Sequence, residues 1–112
     1  MTKTPEAEII HLIPKPSVDS WRTEEKNGEE VGVVAQVTVY HRLSKKKSKD
    51  AEKVIFTFFL DKKHLKRQSI KHRLELRGTV GTGNLSEKQI GELRRQAKDT
   101  LDAFHKEYKR DL

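Results

Sequence analysis

Apolar and polar residues alternate along much of the first two thirds of the chain, then give way to a spacing of three and four in the last third. The alternation is clearest from Val31 to Arg42. There Val31, Val33, Ala35, Val37 and Val39 share one face, and Gly32, Val34, Gln36, Thr38, Tyr40 and Arg42 share the other. A period of two puts successive side chains on opposite sides of a strand, and valine and threonine suit its half-buried, pleated surface. Lys53 to Leu60 repeats the pattern with Val54, Phe56, Phe58 and Leu60 on one face and Ile55, Thr57 and Phe59 on the other. Apolar residues on both faces predict a central strand. Leu43 to Ala51 is polar, basic and aperiodic. The two strands are therefore expected to form a long antiparallel hairpin with a basic tip.

The flanking segments are weaker or shorter. Glu6 to Ile13 is an apolar run stopped by Pro14 and Pro16, and Val18 to Lys26 is a weak strand carrying Trp21. Asn27-Gly28 predicts a turn. After a second basic connection, Asp61 to Gln68, residues Ser69 to Arg77 alternate again. This predicts a strand with Ile70, His72, Leu74 and Leu76 inward and Lys71, Arg73, Glu75 and Arg77 outward.

Gly78 to Asn84 reads as a flexible link into a helix. Ser86 with Gln89 three residues later forms a capping box, and Leu85 with Ile90 forms a hydrophobic staple. Ile90, Leu93, Ala97, Leu101, Phe104 and Tyr108 then fall on one helical stripe, over a run to Arg110 that spans roughly 36 Å; Gly91 weakens the first turn. Strands first and one long helix last predict an α+β fold. The expected fold is an antiparallel sheet of three to five strands with the helix packed on one face. The 112 residues make one domain: weak strands and a turn over 1–30, basic antiparallel strands over 31–77, and a helix over 86–110. A single helix covers one sheet face, which leaves a mixed second face of Val34, Thr38, Tyr40, Ile55, Thr57, Phe59, Lys71, Arg73 and Arg77.

Charge changes the picture because it is unevenly distributed. The chain carries 24 lysines and arginines against 17 acids. Residues 1–40 hold four basic and seven acidic side chains, residues 41–77 hold thirteen and four, and residues 78–112 hold seven and six. Clustering of this kind is the sequence-level sign of a patch facing a polyanion, although lysine-rich loops also serve simply as solvated, edge-protecting surface. Tyr40 and Phe59 add rings of the kind that stack on bases, and Arg42, Lys71, Arg73 and Arg77 add cations beside them. Lys45, Lys46, Lys47 and Lys49 fall at the hairpin tip, and Lys62, Lys63, Lys66 and Arg67 in the next connection, where they suit phosphate contacts without sequence preference.

Catalytic and metal chemistry find little support. The chain has no cysteine, and His11, His41, His64, His72 and His105 show no HxH or HExxH spacing. His72 reads instead as a half-buried core residue. Gly81-Thr82-Gly83 is followed by Ser86 where a nucleotide-binding turn has its third glycine, and no Walker lysine follows. The glycines read as a hinge. Asp61 followed by Glu75-Leu76-Arg77 resembles the spacing of a metal-dependent nuclease, but arginine cannot deprotonate to act as its base. An ion pair of Glu75 with Arg73 or Arg77 accounts for the same residues. No run nears the ~20 apolar residues of a membrane span, and no secretory signal pattern opens the chain, so a cytoplasmic location without membrane attachment is expected.

The resulting expectation is a non-catalytic accessory protein that binds DNA or RNA through the basic hairpin, the second basic loop and the mixed face. No cofactor or metal is expected, and the nuclease is a minor alternative. The main alternative is a protein-interaction module of inhibitor or immunity type that self-associates through the sheet face. Ile55 and Phe59, apolar on an uncovered face, lead to the expectation that a symmetric homodimer, or else a bound partner, covers them.

Overall fold

A computed structural model of the chain describes residues 9–11, 15–43, 52–83 and 85–110. Five strands and a helix follow one another as β1 (Ile9–His11), β2 (Ser17–Lys26), β3 (Glu29–Leu43), β4 (Glu52–Asp61), β5 (Glu75–Val80) and α1 (Glu87–Arg110). The strands form one antiparallel sheet in the order β1-β3-β4-β5, with β2 also paired to β3. β1 and β2 lie one after the other along the same edge of β3, so β3 and β4 are the central strands. The fold is α+β, as the order of patterns predicts.

The hairpin register follows the alternation. Val37 pairs with Phe56, Ala35 with Phe58 and Val39 with Val54, which puts all six on one face. The apolar stripe of α1 lies on that face, where Leu93, Ala97 and Leu101 are fully buried against Phe56, Phe58 and Leu60. Burying each large side chain contributes about 1.5–3 kcal/mol. Trp21, opposite Ala35 in the register, packs its ring 5.3 Å from that of Phe104. The Asn27-Gly28 turn has positive φ at both residues, 54° and 80°, which is the hairpin turn that matches the twist of its strands.

The helix start forms as its sequence predicts. Gln89 N–H donates to Ser86 Oγ at 3.1 Å, and Ser86 N–H donates to Gln89 Oε1 at 2.9 Å. Leu85 and Ile90 both pack on the core beside this cap. Ser86→Ala should lower stability by about 1 kcal/mol in urea titrations, and a variant as stable as wild type would remove the cap from the stabilising interactions.

Residues 69–77 depart from the expected strand. A 3-10 turn occupies Lys71–Arg73, and the strand starts only at Glu75 and continues to Val80, into the segment expected as a link. Ile70 and Leu74 are buried as expected, but His72 is exposed, and Leu76, at the sheet edge, is 37% exposed. Ile70 and Lys71 donate their N–H groups to the helix instead of a neighbouring strand, through a carboxylate described below.

Candidate nucleic-acid interface

The loop between β4 and β5 is bonded to the helix through residues 67–71. Asp61 starts it by accepting the Lys63 N–H at 3.0 Å. Leu65 packs on the core, and Ile70, fully buried, anchors the loop centre. Asp102 of α1, only 6% exposed, accepts from Ile70 N–H at 2.6 Å, Lys71 N–H at 3.2 Å and Ser69 Oγ at 3.0 Å. Its second oxygen meets Lys106 at 3.1 Å. Burial alone would raise the Asp102 pKa, but the hydrogen bonds from Ile70, Lys106 and Ser69 outweigh it and hold the carboxyl below its ordinary range. His105, also buried, meets the Arg67 carbonyl at 2.8 Å through Nε2, which donates there because a carbonyl only accepts.

This binding sets Lys71 and His72, at the end of a cationic segment, against a cationic flank of the helix. Residues 62–73 contain Lys62, Lys63, Lys66, Arg67, Lys71 and Arg73 and no acid. Between Lys71-His72 and α1 runs a groove of about 670 Å³, whose helical wall carries Lys88, Arg94, Arg95 and Lys98. Glu92 and Asp99 are its carboxylates, and Asp99 pairs with Lys71 at 3.7 Å. Lys88, Arg94, Arg95 and Lys98 make no ion pair with any of the described residues. None of these four helix residues stands out in the sequence, because residues 78–112 carry nearly balanced charge.

The loop cations crowd one another. Partial burial, then Arg67, Arg73 and Lys63, hold the His64 pKa below its ordinary value near 6.5. Arg67 Nε donates to His64 Nδ1 at 3.0 Å, which requires a neutral ring. Such crowding is unfavourable in the free protein and is relieved when an anion binds.

The mixed sheet face differs from its expected chemistry. Phe59 is only 9% exposed. Arg77 lies over its ring at 4.3 Å, and the other side is closed by Gly32, where even a Cβ would come within 2.7 Å of the ring. Arg77 sits at a bulge of β5 opposite Thr57 and Phe58. Arg77 is also held by Glu24 at 4.0 Å and Glu75 at 3.9 Å. Phe59 therefore has no open face for a base to stack on, and its own chain supplies the cover that the dimer expectation assigned to a partner. Tyr40 is half-buried on the open face and pairs in register with Lys53. Asp19, at a bulge of β2, accepts from Thr38 Oγ1 on the same face. Glu24 and Glu75 thus offset Arg77, and Asp19 adds a third carboxylate to this face. Lys71 and Arg73, expected on this face, lie in the loop turn instead.

Lys45, Lys46, Lys47 and Lys49 of the hairpin tip lie outside the described residues, and Arg42 is described only as part of β3. Among the described residues no three histidine, aspartate or glutamate side chains converge as a metal site requires, and no helix is long and apolar enough to cross a membrane. Comparison with family models, with curated proteins and with solved structures returns no match for this chain.

Proposed function

We propose that this protein is a non-catalytic nucleic-acid-binding accessory protein that contacts phosphates through residues 62–73 and the adjoining flank of α1. The observation that carries the reading is the convergence of two separate cationic segments on one groove. Lys71 and His72, at the end of an acid-free loop, face Lys88, Arg94, Arg95 and Lys98, and among the described residues Asp99 is the carboxylate paired across the groove. Holding like charges together in this way has a cost that a polyanion offsets, by neutralising the cations and releasing its own counterions. The sheet face contributes less than its composition suggests, because Phe59 is covered and Arg77 is paired with Glu24 and Glu75.

The test is the salt dependence of binding. Arg94→Ala, Arg95→Ala and Lys98→Ala together remove up to three phosphate contacts. The slope of log affinity against log salt should flatten by about 2–3 units, with affinity falling alike for all sequences. An unchanged slope would move the interface away from this groove. The second reading, an interaction module, draws on the free edge of β5, where Val80 is 66% exposed and pairs in register with Ile55. It becomes the conclusion if wild-type protein fails to bind any oligonucleotide at low salt.

A further inference from the structure

We infer that the nucleic acid held at this groove is a double helix gripped by its phosphates, not a single strand read through its bases. The inference rests on the proposed function and names its ligand. Single strands are bound on stacking platforms, where exposed rings meet successive bases among cations. Among the described side chains the groove and the loop lack such a platform; the Tyr108 side chain lies outside them. Residues 62–73 contain no phenylalanine, tyrosine or tryptophan. Trp21 and Phe104 pack on each other between helix and sheet, Phe56 and Phe58 are fully buried, and Phe59 is closed between Gly32 and Arg77. Tyr40 lies on the sheet face opposite α1. Two imidazoles remain at the cationic surface. His64 is held edge-on by Arg67, which leaves His72 as a lone exposed ring.

The arrangement of the cations agrees with a regular ligand. Lys88, Arg95 and Lys98 are fixed on one rigid helix, over a length of about 15 Å at ~1.5 Å per residue. That matches roughly four phosphates along one strand of a duplex, spaced ~3.4 Å along its axis. On the opposite wall the backbone of Lys71 is held by Asp102. Cations carried on fixed backbone favour a ligand whose charges are regularly spaced. A duplex also carries twice the axial charge density of one strand, so purely electrostatic contacts favour it.

The full-length protein is titrated with a DNA duplex, the same duplex as RNA, and the two separated DNA strands, each at several salt concentrations. At least one duplex should bind about tenfold more tightly than either strand, with a steeper salt slope. Tyr40→Ala, on the sheet face away from the groove, should leave duplex affinity within about twofold of wild type, because no ring stacks. Equal or tighter binding of a single strand, or a large loss on removing the Tyr40 ring, would overturn the inference and leave the proposed function standing. Absence of binding to all four probes would instead overturn both.

Discussion

Asp102→Ala should destabilise the protein by about 3 kcal/mol and loosen residues 67–73 from the helix. Asp102 is buried, and one of its oxygens accepts the Ile70 and Lys71 N–H groups together with the Ser69 hydroxyl. Each hydrogen bond to a charged group contributes roughly 1.5–3 kcal/mol, and a buried N–H left without a partner costs about 1–3 kcal/mol. Part of this is recovered because the exposed side of the loop can admit water, which brings the total to about 3 kcal/mol, below the sum of the separate bonds. The dependence on pH has a definite sign. The Asp102 pKa is lower in the folded protein than its ordinary value near 3.8. Its contribution is therefore complete above the unfolded value and is lost as pH falls through the folded one. Asp102→Asn should flatten that acid limb while keeping the side-chain volume. Urea titrations across pH 2–6 measure both effects, and hydrogen exchange at Ile70 and Lys71 locates them. An acid limb as steep in Asp102→Asn as in wild type would assign the pH dependence to other carboxylates. Nucleic-acid affinity should fall in Asp102→Ala as well, since the same bonds hold one wall of the groove.

Gly32→Val should lower stability by about 2–3 kcal/mol, a fall in melting temperature of roughly 10 °C. Gly32 pairs with Asp61 near the start of β3, and the Phe59 ring lies across it. A Cβ at this position would overlap the Leu60 carbonyl oxygen and approach Phe59 Cε2 to 2.7 Å. The carbonyl belongs to the β3-β4 ladder, so relief requires a backbone shift as well as a ring rotation. Displacing Phe59 also removes the surface on which Arg77 rests, a contact of the kind that contributes about 0.5–2 kcal/mol. Exposure of Phe59 should appear as binding of a hydrophobic dye, which the wild-type sheet face should not show. A Gly32→Val protein with wild-type melting and no dye binding would mean that the ring and strand have room that the register denies them.

These two positions illustrate how differently parts of the fold were legible. Gly32 falls on an alternating strand, and nothing local distinguishes it from any other glycine there. Its importance comes from Phe59, which is 27 residues away in the chain and one strand away in the sheet. Asp102 and His105 sit beside the apolar stripe of the helix and read as ordinary solvent-facing polar residues. A polar residue next to such a stripe is buried only if another segment closes over it. Here the loop does so, with its unpaired N–H groups directed at the carboxylate. The same bonds explain why Ser69 to Arg77, with a clean alternation, is not a strand throughout.

The elements themselves, their order and the capped helix start follow from residues two to four positions apart, because strand and helix faces are set by local periods and a cap by its own turn. The hairpin register follows too, since both strands carry one strongly apolar face and a slip by one residue would turn it outward. The cationic groove belongs to a different level. Lysines and arginines of α1 nearly balance the acids of the same segment, and only the direction in which Leu93, Ala97 and Leu101 are buried selects the flank that meets residues 62–73. Whether an aromatic ring is a stacking surface or a covered one is likewise decided by neighbours distant in the chain, Gly32 and Arg77 for Phe59. Charge and exposure at a surface depend on which elements pack side by side, and that pairing exists only once the helix is docked on the sheet.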